Sequence, residues 1–535
     1  MVQTLRATGC AALLALALAT GAQSDPWRPT RFMIGGYGVN QAAREPGRLL
    51  LFAAAGLDYV HDMDHHQDFP AERDLAVRLD SLRRAHPGFG LQAILHDAYP
   101  KNDPARFTAN ADSNLDWPAI RQRVAPESGA NRASTLGWSL WDEPCDRASL
   151  ARAVDMVRRF RVNPATAGQL PFVNLLPAGD PGEPWCLDNE FAGGDRLATW
   201  TSYADAYLKA FDSDPWPAPV FSFDCYPFLN DGLVRSSYFE TLRMARDLSL
   251  AHSRPGWRVP LWVIVQLAPF KPHGRPMMQG PSFAQTRWQA WTAVAYGARG
   301  ISYWTTGTSN DSTLDERFGP GIVDLYGQPT PLHASLAQLN RELHALGPTL
   351  MKLDPVTVFH AGRGHQGGID EELLSNPNRA YGVVTRVREA PGSADCLIGY
   401  FKEAGSGDDY LLVINQDLAK AHTFTLELDV PADSLERVDR TTGERVFVGR
   451  QVSRFDVSNL PPASAELYRV VSPLLEHLPN VESVGRRGSV YEFRTRGRVL
   501  RVDYGTGARS WVPRATEPAA PELRITPFGV LRMGH

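Results

Sequence analysis

From residue 31 to 304 the chain repeats one pattern: a short apolar run rich in β-branched and aromatic residues, a polar loop, then a stretch with helical spacing of apolar positions. Eight such runs occur, at Phe32–Tyr37, Leu57–His61, Leu91–His96, Leu136–Asp142, Phe172–Leu176, Val220–Asp224, Leu261–Gln266 and Gly300–Trp304. Helical periodicity lies between them, over Asp74–Ala85, Arg147–Val162, Thr201–Phe211, Tyr238–Ala251 and Phe283–Gly297, and again over Leu332–Leu346, where Gly347-Pro348 reads as a stop. Alternating strands and helices predict parallel βαβ units. Eight units over roughly 250–300 residues predict a closed (β/α)8 TIM barrel. An open doubly wound sheet is the competing arrangement, but no Gly-x-Gly-x-x-Gly turn follows the first run, so a dinucleotide site has no basis in the sequence.

After residue 350 the pattern changes. Val356–His360, Ala380–Arg388, Cys396–Lys402, Tyr410–Asn415, Thr423–Leu428, Leu435–Asp439, Ser453–Val457 and Ala465–Val470 are short runs separated by Gly, Pro, Asp and Asn. Several alternate with period two, which predicts an antiparallel β-sandwich. The α/β chain therefore divides into residues 25–348 as the barrel, 349–472 as the sandwich, and 473–535 as a further β-rich segment that either joins the sandwich or stands apart.

The first 24 residues carry the marks of a signal peptide: Arg6, the apolar run Cys10–Ala19, and the small residues of Ala22-Gln23-Ser24. That run is too short to span a bilayer as a helix, and no later stretch predicts a span. The expectation is a secreted or periplasmic protein. Export permits disulfides: Cys145 and Cys186 fall in successive loops on one barrel face and could bridge, or all four cysteines beyond the signal could be thiols. With 55 basic and 59 acidic residues the formal charge is −4, which excludes a strongly basic nucleic-acid binder.

Charge placement matters more than its sum. In a (β/α)8 barrel the reactive side chains sit at the C-terminal ends of the strands. Read in order, those ends supply His61 and Asp62, then His96, then Asp142 and Glu143, Asn174, Asp224 and Tyr226, Gln266, and Tyr303 with Trp304. Packing requires none of these polar groups, so a substrate pocket explains them better. The fourth run carries the most information, because Trp138-Ser139-Leu140-Trp141 stops in Asp142-Glu143-Pro144, two carboxylates and a proline that ends the ladder. The bland alternative is a helix start capped by Asp142. The His61-Asp62-Met63-Asp64-His65-His66 cluster lacks the spacing of a structural zinc site, and neither a metal nor another cofactor is expected.

Three segments carry a family likeness: Trp141-Asp142-Glu143-Pro144, Phe223-Asp224-Cys225-Tyr226-Pro227, and Gly297-Ala298-Arg299-Gly300-Ile301-Ser302-Tyr303-Trp304. With them the barrel resembles the (β/α)8 glycoside hydrolases, and Asp409–Asp417 is similar to the β-sandwich that often follows such barrels. The resemblance implies a glycosidase acting on an oligo- or polysaccharide, with Glu143 as general acid. The sequence departs from the retaining clan at two places. Gln266 stands where the nucleophilic Glu would end strand 7, and Asp142 replaces the usual Asn.

Three accounts follow. Asp224 is the second carboxylate; or Asp142 and Glu143 work as the paired acids of substrate-assisted hexosaminidases do; or the barrel binds carbohydrate without cleaving it. A metal-dependent amidase is a further alternative. In the first account Glu143, Asp224 and Asp142 are catalytic, and His61, Asp62, His96, Asn174, Tyr226, Gln266, Tyr303 and Trp304 bind substrate.

Overall fold

The computed structural model describes residues 26–39, 46–62, 69–95, 131–178, 187, 190–191, 195–228, 234–271, 278–311, 316–361, 384–389, 395–471, 483–487, 490–494, 498–503, 509–513, 523–525 and 531–533. The eight predicted runs become strands β1 (Met33–Val39), β2 (Tyr59–Asp62), β3 (Gln92–Leu95), β4 (Thr135–Asp142), β5 (Leu170–Leu175), β6 (Phe221–Asp224), β7 (Leu261–Gln266) and β9 (Ala298–Trp304). They pair in parallel in sequence order, and β9 returns to β1 to close the barrel. Helices α1 (Pro46–Ala54), α2 (Phe69–Ala85), α3 (Arg147–Val162), α4 (Arg196–Lys209), α5 (Tyr238–Ala251), α6 (Phe283–Ala295) and α7 (Pro331–Leu350) connect the strands or follow the last one. Helix α3 starts in a capping box, with Asp146 accepting from the Ser149 N–H and Ser149 Oγ accepting in return from the Asp146 N–H.

Period-two alternation sorts the barrel strands into two faces, except in β4, where register shifts put Leu136 in the lumen and Trp138 and Leu140 in the outer layer. Ile34, Val60, Leu95, Val173, Phe223, Val265 and Ile301 point outward into the helix layer. Met33, Tyr37, Tyr59, Ile94, Leu136, Leu170, Phe172, Val220, Trp262 and Ile264 fill the lumen. Trp262 stacks on Tyr59 at 5.4 Å, and Trp27 meets it edge-on. The indole fits because residue 300 is glycine: a Cβ there would lie 2.6 Å from the Trp262 ring. The Tyr59 hydroxyl shares a hydrogen bond of 2.5 Å with Ser302 Oγ.

Helix α7 does not stop at Gly347-Pro348 but runs through both to Leu350. Proline removes one donor, yet the turn continues because the Met351 N–H still reaches the Gly347 carbonyl at 2.9 Å and Leu346 and Leu350 are buried.

Beyond α7 a seven-stranded antiparallel sheet forms from β12 (Leu353–Ala361), β13 (Val384–Glu389), β14 (Cys396–Glu403), β15 (Asp409–Asn415), β16 (His422–Val438), β17 (Arg445–Leu460) and β18 (Ala465–Val471). The sequence treats Thr423–Leu428 and Leu435–Asp439 as two strands. In the structure both belong to β16, whose register shifts between Glu427 and Ala432. Its first part pairs with β13 and its second with β18, so one continuous sheet curls around an apolar core containing Phe359, Ile398, Leu411, Phe424 and Phe455. The opposite face, with Val358, Leu397, Phe401, Leu412, Ile414 and Leu467, merges with the outer layer of the barrel. Gly399 permits that approach, since a Cβ there would sit 2.9 Å from the Ala295 Cα on α6. The last segment stands apart as a six-stranded antiparallel sheet, β19 (Ser483–Arg487) to β24 (Leu531–Met533).

Candidate active site

The lumen changes character at the C-terminal ends of the strands. Strand β4 ends at Asp142, and the Glu143 N–H extends the ladder by donating to the Asn174 carbonyl at 2.9 Å. Neighbours on a regular strand face opposite sides. Glu143 escapes that rule by adopting a left-handed backbone, φ 53°, a conformation that costs a non-glycine residue on the order of 1–3 kcal/mol and tends to occur at functional sites. As a result both acids reach the same place, where each acts electrostatically on Tyr37 and Tyr226.

Asp224, at the end of β6, completes the group. Its carboxylate accepts hydrogen bonds from Asn174 Nδ2 (3.1 Å) and from the Tyr226 hydroxyl, and Glu143 lies close enough to act on it. Asn174 ties the group together, donating also to Asp142 at 3.3 Å while its own carbonyl accepts from Ser222 Oγ at 3.1 Å. Burial, and next the negative charge of Asp142, push the Asp224 carboxyl up to about 7 despite those donors. Burial, reinforced by the same carboxylates, holds the Tyr37 and Tyr226 phenols well above their ordinary range, so both stay neutral donors.

Aromatic rings wall the acids. Trp304 lies 5.7 Å from Tyr37 and meets Phe270 and Phe318 edge-on at 6.1 and 5.7 Å. Phe270 also meets Tyr226 edge-on at 5.6 Å. Phe270 and Phe318 belong to a small antiparallel sheet of β8 (Phe270–Lys271), β10 (Ser309–Asp311) and β11 (Glu316–Phe318), built from the loops after β7 and β9.

Of the residues expected from the sequence, Asp142, Glu143, Asn174, Asp224, Tyr226 and Trp304 come together here. His61 points inward but is fully buried among Tyr37, stacked at 3.8 Å, Tyr59 and Phe172. Gln266 shares the inward face with Trp262 and Ile264, and its side chain is anchored by Nε2 donating to the Gln279 carbonyl at 2.9 Å. Tyr303 is not brought into the group. It lies one residue out of phase with Trp304, faces the helix layer and donates to Asn340 Oδ1 on α7 at 2.7 Å. Asp62 ends β2, but its side chain, like all of His96, Met63, Asp64, His65 and His66, lies outside the described residues.

Tyr37, Phe270 and Phe318 are absent from the expectation. Tyr37 does close the first predicted run, and an aromatic at a strand end was the available signal. Cys145 carries a free thiol, so the Cys145–Cys186 bridge is not formed; Cys186 itself lies outside the described residues. Among the described residues, no group of three or more His, Cys, Asp and Glu side chains is arranged to hold a metal ion. Nor, among them, is any helix long and apolar enough to cross a membrane.

No protein-family description matches the chain, and no curated protein matches it by sequence. Solved structures do superpose on it. A glucosidase from Croceicoccus marinus aligns at 13% identity over 84% of this chain and 98% of its own, with a TM-score of 0.41. A β-galactosidase from Bacillus circulans sp. alkalophilus aligns at 11% identity over 82% and 99%, with a TM-score of 0.42. A glycoside hydrolase family 5 protein from Bacteroides vulgatus aligns at 12% identity over 84% and 90%, with a TM-score of 0.38. Scores this low establish no kinship.

Proposed function

We propose that the protein is an exported glycoside hydrolase in which Glu143 protonates the leaving oxygen and Asp224 and Asp142 supply negative charge to the reacting carbon. The observation that carries the reading is the convergence of Glu143, Asp142 and Asp224 at the mouth of the barrel, with Asn174 bonded to both aspartates. Asp224 is pushed up to about 7 beside Glu143, which puts one carboxyl of the group on the edge of ionisation near neutral pH, as acid–base work on a glycosidic bond requires. Glu143 gives its proton to the bridging oxygen as the bond from that oxygen to the sugar carbon breaks. The positive charge left on the sugar faces Asp142 and Asp224. Water then attacks that carbon and loses its proton to a carboxylate. The surrounding Trp304, Tyr226, Phe270 and Phe318 suit the apolar faces of a sugar ring.

Carboxyls roughly 5–5.5 Å apart act with retention and those roughly 6.5–9.5 Å apart with inversion. The anomer first released, read by NMR, decides between the two. Export belongs to the proposal, supported by Arg6, the apolar run Cys10–Ala19 and the small residues after it.

Hydrolysis of a panel of aryl glycosides tests the reading. Glu143→Gln should lower kcat by about 10²–10⁴-fold, the usual contribution of a positioned acid. Near wild-type turnover in that variant would remove Glu143 from the mechanism. Gln266 favours a second reading, a carbohydrate-binding protein without turnover, because a fixed amide occupies the end of β7. Tight binding of glycosides with no cleavage by the wild type would select it.

A further inference from the structure

Three buried polar atoms at the mouth have no hydrogen-bond partner among the described residues: the Tyr37 hydroxyl, Trp304 Nε1 and Gln266 Oε1. They belong to three adjacent strands, β1, β9 and β7. Gln266 and Trp304 are register partners, Tyr303 pairs with Gly36, and the Trp304 and Tyr37 rings lie 5.7 Å apart. The three groups therefore form one arc at one level of the barrel. Tyr37 is 2% exposed and Gln266 0%, so bulk water does not satisfy them. A buried polar atom left unpaired is costly, so three together at a candidate site call for a partner that the described residues do not supply there. Trp262 Nε1 is also unpartnered, but it sits deeper, against Tyr59, Phe172 and Trp27.

The chemistry of the arc is specific. Trp304 can only donate and Tyr37 can donate or accept. The orientation of the Gln266 amide is fixed, because its NH2 donates to the Gln279 carbonyl, and that leaves Oε1 as a pure acceptor. Two donors and an acceptor, none of them charged, complement neighbouring hydroxyl groups, each of which both donates and accepts. A carboxylate would place its lone pairs against Gln266 Oε1 and lie beside Asp142, Glu143 and Asp224.

Resting on the glycosidase reading, we propose that Tyr37, Trp304 and Gln266 are a neutral hydrogen-bonding arc that takes adjacent hydroxyls of an uncharged sugar residue and rejects its uronic acid counterpart. Tyr37 is held for this by its stack on His61 and by two hydrogen bonds from Thr306, whose N–H and hydroxyl both donate to the Tyr37 carbonyl at 2.9 and 3.0 Å.

The test uses the full-length Glu143→Gln protein and calorimetric titration with methyl glycosides of glucose, galactose and mannose, their single-deoxy versions, and the matching uronic acids. One neutral glycoside should bind at least tenfold more tightly than its uronic acid. Tyr37→Phe, added to that background, should weaken it by about tenfold, the size of one lost hydrogen bond of about 1.4 kcal/mol. One deoxy glycoside should show the same loss against the parent protein and no further loss against Tyr37→Phe. Gln266→Met should narrow the gap between neutral and acidic sugars, and thermal melts check that both variants fold. Unchanged affinity in Tyr37→Phe, a uronic acid bound as tightly as its neutral partner, or no binding of any neutral glycoside each overturns the arc. Wild-type hydrolysis of the aryl glycosides reports separately: where it persists and the arc fails, the proposed function stands without it.

Discussion

The two ends of the barrel are made by the same eight strands and treat polarity in opposite ways. Where the strands begin, Met33, Leu136, Leu170 and Val220 pack near Trp262, and in the layer above them the Tyr59–Ser302 hydrogen bond closes on itself. Where they finish, three acids converge beside three polar atoms that have no partner among the described residues. A core built like the second end would not be stable, and a site built like the first would have nothing to react with. The difference separates residues held for stability from those held for chemistry, and it can be tested from both sides.

The largest effects should come from one substitution at each end. Glu143→Gln should lose about 10²–10⁴-fold in kcat with a melting temperature close to wild type. Trp262→Ala should cost about 3–5 kcal/mol of stability while the fraction that remains folded keeps its turnover. Denaturant unfolding and active-site titration of the two variants check this together, and a Glu143→Gln protein as unstable as Trp262→Ala would erase the distinction.

Asp224 gives the next effect. Its carboxyl binds a proton more tightly in the folded chain, at about 7, than the ordinary aspartate value near 4. The folded state thus holds more protons than the unfolded one between those values, and stability falls as pH rises through the window. The melting temperature should drop between pH about 5 and about 8, and Asp224→Asn should be flatter and more stable at the upper end, by up to a few kcal/mol. Parallel curves for the two proteins would show that Asp224 is held charged without cost.

Gly300→Ala is the smallest change, one methyl group pushed against the Trp262 indole, and should cost roughly 1–3 kcal/mol by denaturant unfolding. A neutral result would mean that the lumen can shift to make room.

The barrel is legible in the sequence because each strand is a continuous apolar run between polar helices, a signal that depends on neighbours only. The acids at the ends of β4 and β6 are visible for the same reason: carboxylates that end apolar runs stand out. Register is harder to read. Tyr303 and Trp304 are equally aromatic, and only the phase set by Gly300 and Ser302 on the inward face separates the packed residue from the one at the mouth. Tyr37 escapes a search for titratable groups because a phenol at a strand end resembles core. Phe270 and Phe318 reach the site through pairing between two separate loops, and the approach of Glu143 to Asp224 joins two strands that are not neighbours. Neither relation leaves a local trace. The single curled sheet is hidden likewise, because Pro431 interrupts the apolar run of β16 while the strand itself continues past a shift in register.

The contact between that sheet and the barrel bears on modularity. Strands β14 and β15 are apolar on both faces, and the face with Leu397, Phe401, Leu412 and Ile414 is continuous with the outer layer of the barrel. The barrel is therefore not a cassette that can be excised after α7 and grafted elsewhere. Each half completes the other's surface, so a chain cut between them should yield two sticky fragments, and any inherited variation at Gly399 or Ala295 has to be tolerated by both.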